Sequence, residues 1–209
     1  MFDLTGKNAI ITGSSKGIGK SIAVAMAKQG ANVVISSRKV DVCEATAEEI
    51  NNLKDEGAGK AIVIPCNISD KTALEMLVEE TRSQLGQIDI LVCMLPLTPK
   101  TRGILNLELF NKIEKEFCLI NVARGEHLVE EDLLKALENK IIKEATLDVF
   151  HIEPLPIKHP FWKNSKIFIT PHIASLLDPV AGGKEIAKNI NDFLDGKQVD
   201  NLIPPGKGY

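Results

Sequence analysis

Residues 8 to 19 read Asn8-Ala9-Ile10-Ile11-Thr12-Gly13-Ser14-Ser15-Lys16-Gly17-Ile18-Gly19. The apolar run that opens this stretch is too short for a helix and stops at a glycine, which predicts a strand buried on both faces of a parallel sheet. After it, Ile18, Ile22, Ala25 and Met26 fall at i, i+4, i+7 and i+8, a spacing that predicts a helix with one apolar stripe, and Gly30 supplies its stop. The three glycines therefore stand between a strand and the first turn of a helix. There, main-chain N–H groups and the helix dipole attract a pyrophosphate, and the missing side chains let the backbone approach it. Gly13, Ser15, Lys16, Gly17, Ile18 and Gly19 are accordingly candidate dinucleotide contacts.

Outward from this loop the same alternation continues. Strands are predicted at 31–36, 60–65, 88–93, 117–121, 145–150 and 166–170, each apolar for most of its length. Between them helical spacing recurs at 44–54, 74–85, 107–113 and 130–137, and Ile186, Ile190, Phe193 and Leu194 stripe a closing helix. Strands without a polar face, separated by helices, imply an α/β, doubly wound parallel sheet covered on both sides. The expected fold is a Rossmann-type NAD(P)-binding domain with strand order 3-2-1-4-5-6. No linker, repeat or low-complexity segment divides residues 1–209, which are expected to form a single domain.

Composition narrows the function classes. A formal net charge of −3 with no dense Lys/Arg block argues against nucleic-acid and membrane-surface partners, which need concentrated positive potential. The start lacks a signal-peptide pattern, and no apolar run approaches the roughly 18 residues of a membrane span, so a cytoplasmic location is expected. Cys43, Cys66, Cys93 and Cys118 form no Cys-x-x-Cys pair, and no metal site is expected.

The loop Thr12-Gly-Ser-Ser-Lys-Gly-Ile-Gly19 resembles that of the short-chain dehydrogenase/reductase family, and the resemblance covers roughly residues 1–92. It extends to Ser36-Ser-Arg-Lys39, to the adenine-side Cys66-Asn-Ile-Ser-Asp70 and to Ile88-Asp-Ile-Leu-Val92. It implies cofactor contacts from Ser37, Arg38, Lys39, Asn67 and Ile68. An acid at the end of the second strand selects NAD, whereas Arg38 and Lys39, with Ser37 and Lys16 nearby, favour the 2′-phosphate of NADP(H); NAD(H) remains usable. Catalysis in that family uses a Tyr-x-x-x-Lys pair, yet the one tyrosine here is Tyr209. That chemistry is not expected to run.

From Asp89 onward the sequence resembles the D-2-hydroxyacid dehydrogenases, closest to the glyoxylate/hydroxypyruvate reductases. The markers are Leu95-Pro-Leu-Thr-Pro99, Thr101-Arg-Gly-Ile104, Ile120-Asn-Val-Ala-Arg-Gly125, Leu147-Asp-Val-Phe150, Glu153-Pro-Leu-Pro156 and Thr170-Pro-His-Ile-Ala174. Reducing a 2-oxo acid calls for a cation to hold its carboxylate, an acid to protonate its carbonyl oxygen, and a group that tunes that acid. The resemblance places these roles on Arg124, His172 and Glu153. It also implies cofactor contacts from Pro96, Val122, Ala123 and Asp148, the last accepting from the nicotinamide carboxamide. His127 with Glu130 and Glu131 invites a metal reading, but the family uses no metal, and acids in a helix's first turn answer the helix dipole.

The chain thus reads as a hybrid: a short-chain-type half over 1–92 joined to a D-2-hydroxyacid-dehydrogenase-type half over 93–209 that carries the catalytic residues. The leading expectation is an NAD(P)H-dependent oxidoreductase that takes a small 2-oxo acid to the 2-hydroxy acid. Family members carry a second lobe ahead of the dinucleotide domain. None precedes Met1 here, so turnover is expected to be slow and the closing helix exposed enough to favour a homo-oligomer. The alternatives are a short-chain-type carbonyl reductase, which the missing Tyr-x-x-x-Lys disfavours, and a catalytically weak NADP-binding module.

Overall fold

In the computed structural model, residues 2–53, 55–67, 71–175 and 178–199 are described. Seven strands, β1 (Asn8–Thr12), β2 (Asn32–Ser36), β3 (Ala61–Val63), β4 (Ile90–Cys93), β5 (Phe117–Asn121), β6 (Ile142–Leu147) and β7 (Ile167–Ile169), alternate with helices. The helices are α1 (Gly17–Lys28), α2 (Val40–Asn51), α3 (Lys71–Leu85), α4 (Leu107–Lys112), α5 (Glu130–Glu138) and α6 (Pro179–Leu194). The sheet runs β3-β2-β1-β4-β5-β6-β7 with every pairing parallel, which extends the expected six-strand order by one edge strand. Chain contacts separate Met1–His172, which holds the whole sheet, from Ile173–Tyr209, which holds α6.

Within the first unit, alternate residues of each central strand feed two cores. Ile10, Val34, Leu91 and Cys93 join Leu74, Leu77 and Val78 of α3, Phe110 of α4, and Leu133 and Leu137 of α5. Ala9, Ile11, Val33, Ile35, Ile90 and Val92 join Ala23 and Ala27 of α1 and Cys43, Ala47 and Ile50 of α2. Each fully buried aliphatic side chain among them contributes about 1.5–3 kcal/mol relative to exposure. This two-sided burial is what the unbroken apolar strands demanded.

The face that α1 turns to the sheet is shifted from the expected stripe. Gly19, Ala23 and Ala27 are buried, whereas Ile18 is 41% exposed and Ala25 lies outside the core. Small residues win because the helix lies very close to β1: a Cβ on Gly19 would stand 2.5 Å from the Gly13 carbonyl oxygen. A stripe chosen by hydrophobicity overlooks a face chosen for closeness.

Several element limits move for similar local reasons. The sixth strand begins at Ile142 and ends at Leu147, so Asp148-Val-Phe150 leaves the sheet as the start of a loop instead of finishing the strand. The second helix starts at Val40, directly after Arg38-Lys39, and ends at Asn51. In the second unit, α6 begins with Asp178, whose side chain accepts from the Val180 N–H, followed by Pro179 in the first turn. Ile186, Ile190, Phe193 and Leu194 are each more than half exposed, in line with the exposure expected for this helix.

Candidate active site

The carboxyl ends of the strands carry the candidate residues, at the edge where open parallel sheets bind ligands. At β1 the chain turns sharply: Gly13 and Gly17 hold positive φ, and the N–H groups of Gly13 and Ser14 donate to the Ser36 carbonyl at 2.9 and 3.2 Å. Ser14 Oγ, fully buried, accepts from the Ser36 N–H at 2.9 Å, so the loop is tied to the end of β2. Thr12 Oγ1 accepts from the Met94 N–H at 2.9 Å and donates to the Val92 carbonyl, tying the same loop to β4. Sequence reasoning assigned neither Ser14 nor Thr12; both are short polar residues at a strand end, a weak but readable signal.

The fit of this loop to a dinucleotide rests on what it leaves open. Lys16, the residue before α1, is extended and makes no side-chain cap, so the first N–H groups of the helix lack that partner. Space above Gly17 is empty within 4 Å of a would-be Cβ, and the buried Ser36 Oγ has no hydrogen-bond partner. A phosphate group on the open side would meet donors and the positive end of the dipole. Lys16, Ile18, Arg38, Lys39 and Asn67 are exposed around the loop, while Ser15 is buried and Ser37 half-buried. Ser37 Oγ lies 3.2 Å from Cys43 Sγ and accepts from the Lys39 N–H, which orients the start of α2. Ile68 lies outside the described residues.

Three neighbouring strand ends carry the other candidates. After β5, the buried Asn121 accepts from the Ala123 N–H and donates to the Arg124 carbonyl at 3.1 Å, folding Val122-Ala-Arg into a tight turn. Arg124 itself is exposed, and its guanidinium also touches the Ala123 carbonyl at 2.6 Å. Gly125 then lies against the next loop: a Cβ there would stand 2.0 Å from the Phe150 carbonyl carbon. Phe150 in turn donates its N–H to Glu153 Oε1 at 2.9 Å. The absence of one methyl group therefore brings the Arg124 turn beside the Glu153 turn, a placement signalled only by the Arg-Gly dipeptide.

His172 completes the set after β7. Its Nδ1 lies 2.7 Å from Glu153 Oε2, and since a carboxylate only accepts, Nδ1 carries the hydrogen and Nε2 is the nitrogen left for other chemistry. The backbone of His172 has φ +54, rare for a residue with a side chain, and is held there by its N–H donating to the Asp148 and Thr170 carbonyls at 2.9 and 3.1 Å. Partial burial pushes the Glu153 carboxyl up, but hydrogen bonds from His172 and the Phe150 N–H, with the His172 charge, outweigh it and hold it below the usual carboxylate range. Asp148 is buried at the end of β6, where its carboxylate accepts from the Thr170 hydroxyl.

His127 does not face the acids of α5 in a ligand set. It is buried, with both ring nitrogens at carbonyl oxygens, Arg124 at 3.1 Å and Pro96 at 3.3 Å. Glu130 instead pairs with His159 at 3.3 Å. Among the described residues, no cluster of His, Cys, Asp and Glu is arranged to hold a metal ion, and no helix is long and apolar enough to cross a membrane.

A seven-stranded parallel sheet with a glycine loop at its first strand-to-helix turn is the architecture of a nucleotide-binding dehydrogenase domain. The chain belongs to the D-isomer specific 2-hydroxyacid dehydrogenases: residues 58–174, more than half its length, match the NAD binding domain of that family. Residues 7–100 also match the short chain dehydrogenases. Both parents expected from the sequence are thus present, and their join near residue 92 falls in the stretch that the two matches share.

Over 131 residues the chain is 50% identical to a glyoxylate/hydroxypyruvate reductase A of Serratia proteamaculans (strain 568), covering 63% of this chain and 42% of that relative. A second glyoxylate/hydroxypyruvate reductase A, of Photorhabdus laumondii, is 46% identical over 120 residues, covering 57% of this chain and 38% of the relative. The chain thus spans less than half the length of these curated relatives. Among solved structures, a D-isomer specific 2-hydroxyacid dehydrogenase from Xanthobacter autotrophicus Py2, in complex with NADPH and MES, aligns with a TM-score of 0.73 at 32% identity, over 97% of this chain and 73% of that one. An NADPH-dependent glyoxylate/hydroxypyruvate reductase from Sinorhizobium meliloti, in complex with NADP and sulfate, aligns with a TM-score of 0.73 at 28% identity, over 100% and 59%.

Proposed function

We propose that this chain binds NADP(H) in preference to NAD(H) and carries the residues for reducing a small 2-oxo acid of the glyoxylate or hydroxypyruvate type to the 2-hydroxy acid. The observation that carries the proposal is the His172–Glu153 pair at 2.7 Å, with Glu153 one strand end and His172 two strand ends from the Arg124 turn. When bound, the reduced dinucleotide supplies the hydride. Everything else falls to this chain's own side chains.

Arg124 presents a planar guanidinium that suits a carboxylate in two-point fashion and draws electron density from the adjacent carbonyl. His172 Nε2 holds the proton destined for the carbonyl oxygen, while Glu153, kept ionised, accepts from Nδ1–H and fixes the ring's orientation. Asp148, a buried acceptor, suits a carboxamide N–H, with Pro96, Val122 and Ala123 lining the same edge. Gly13, Ser15, Lys16, Gly17, Ile18 and Gly19 cradle the pyrophosphate, and Ser37, Arg38 and Lys39 hold the 2′-phosphate. Residues 1–209 act in this reading as one dinucleotide-binding domain. A cytoplasmic setting belongs to the same reading and is supported by four free thiols.

NADPH oxidation is measured with glyoxylate, hydroxypyruvate and a neutral ketone. Turnover of the oxo acids and not of the ketone is expected, because the ketone gives Arg124 nothing to hold. The reverse preference would assign the chemistry to the short-chain half, and turnover of none of them, with NADPH bound, would leave a binding module.

A further inference from the structure

The Arg124 turn and the loop that follows β4 are joined by a buried polar chain to which no role has been given. It begins at Thr101, fully buried, whose Oγ1 donates to the Pro96 carbonyl at 2.8 Å. That carbonyl also faces His127 Nε2 at 3.3 Å, and His127 Nδ1 faces the Arg124 carbonyl at 3.1 Å, which already accepts from Asn121 Nδ2. The main chain follows the same seam: the Gly103 N–H donates to the Glu126 carbonyl and the Leu105 N–H to the His127 carbonyl, both at 2.8 Å. His127 has no exposed surface. A buried imidazole between two main-chain acceptors is a connector between loops, and its neighbours on both sides are residues assigned to substrate and cofactor.

We propose that His127 is a positioning residue for Arg124, its ring bridging the carbonyls of Arg124 and Pro96 so that the two loops keep one spacing. The role for Arg124 rests on the oxo-acid reading above; the bridge does not. Hydrogen counting gives the bridge two states. Both partners are acceptors, and a neutral imidazole has a single N–H, so the neutral ring serves one carbonyl at a time: Arg124, which also takes the Asn121 amide and the His127 N–H, or Pro96, which also takes the Thr101 hydroxyl. The imidazolium donates to both and pins the two loops together.

The charged groups that bear on the ring are Glu126 and Arg124 on its own turn, with Arg102 of the facing loop 4.0 Å from Glu126. Burial pulls the ring's proton affinity down and the two carbonyls push it up; the ring ends below the ordinary histidine value, so the neutral state is the resting one near pH 7.

The test uses the full chain with His127→Gln, whose amide can donate to both carbonyls, and His127→Leu, which can donate to neither. Removing the ring that spans the two carbonyls, which keep only their separate donors Asn121, the residue-127 N–H and Thr101, should raise KM for glyoxylate by about tenfold in the leucine variant, with kcat changed much less and NADPH affinity within about twofold. The glutamine variant should recover most of that KM. In the unmodified protein, imidazole nitrogen resonances should show one ring nitrogen protonated at pH 8 and the other gaining its proton on acidification. The amide that follows the carbonyl gaining a donor in that step, Leu97 after Pro96 or Gly125 after Arg124, should report the step more strongly than the other, and the glutamine variant should lose it. An unchanged KM in the leucine variant overturns the positioning role, as does indifference of both the Leu97 and Gly125 signals to the ring's titration. If the unmodified protein binds NADPH but reduces no oxo acid, the functional reading fails while the nitrogen and amide signals still decide the bridge.

Discussion

The two ends of the candidate site are built by opposite means. At β1 the proposed phosphate loop relies on main chain: a glycine, Gly19, where a Cβ would collide, positive φ at Gly13 and Gly17, and hydroxyls of Thr12 and Ser14 that lash the loop to its neighbours. At β5 to β7 the proposed chemistry rests on the side chains of Arg124, Glu153 and His172, and the main chain serves to aim them. The first region should therefore tolerate a change of charge but not a change of backbone shape, whereas the second should lose its chemistry to a single side-chain truncation while still folding. Each of the following expectations breaks or sharpens that contrast.

The largest effect belongs to His172→Ala. Removing a general acid lowers turnover by about a hundredfold to ten-thousandfold, while NADPH affinity, set at the other end of the sheet, stays the same. A fluorescence titration beside the oxo-acid assay separates the two quantities. Retained turnover would move the proton donor elsewhere and erase the division of labour.

Gly125→Ala comes next and tests whether a backbone contact can govern a side-chain site. The added methyl would stand 2.0 Å from the Phe150 carbonyl carbon, so either the Arg124 turn or the Glu153 turn must retreat. A cost of about 3 kcal/mol is expected in denaturant unfolding, as for overpacking against main chain that cannot yield. Wild-type stability would show that the two turns are less closely fitted than their geometry states.

Arg38→Asp probes the opposite region. Exposed beside the phosphate loop, the arginine has no structural duty to lose, so the fold should be unaffected while the ratio of NADPH to NADH affinity falls by about tenfold or more. Equal affinities of the unmodified chain for the two cofactors would remove the reason for assigning Ser37, Arg38 and Lys39 to a phosphate.

Much of this was legible before any coordinates. Strands without a polar face betray a doubly covered parallel sheet, and all seven appear, the sixth three residues earlier than expected, because two-sided burial leaves few other arrangements. The proposed set of Arg124, Glu153 and His172 came from the family motifs, since each residue alone reads as an ordinary exposed side chain; the structure adds the His172–Glu153 hydrogen bond. What stayed hidden has a common cause. The buried face of α1, the Gly125 contact and the His127 bridge all depend on distances between segments far apart in sequence, and small residues or neutral imidazoles leave no hydrophobic period to read.

A smaller effect should appear in the pH dependence of stability. The Glu153 carboxyl is held below its ordinary value in the folded chain, so the stability it brings is fully present above the unfolded value of about 4.3 and is lost as pH falls through the folded one. With Glu153 side-chain exposure of 35%, screening keeps the contribution modest. Thermal unfolding from pH 6 down to pH 3 should fall more steeply for the unmodified chain than for Glu153→Gln. Parallel curves would mean that the pair with His172 is too loose in solution to tune its partner.

The smallest effect lies at the seam between the two parents. A partly open pocket of about 30 Å³ is lined by Ile10, Thr12, Leu74, Leu77 and Val78 from the short-chain-type part and by Leu95, Ile104, Leu105 and Leu109 from the other, with Leu91 and Cys93 of β4 between them. Its walls are almost entirely apolar, so water has too few partners to fill it, and the atoms around it forgo contacts that a matched core would make. Val78→Ile adds one methylene from α3 without altering the branching at Cβ, which keeps the helical rotamer. It should stabilise the chain by somewhat under about 1 kcal/mol, the worth of one buried methylene. Calorimetric unfolding with and without NADPH is the appropriate measurement, because the gain should be the same in both states if the pocket, which reaches the phosphate loop only through Thr12, is a packing defect and no more. Destabilisation by the added group would instead show that α3 and α4 already close on each other at the seam, and that the two parental halves pack as tightly there as within themselves.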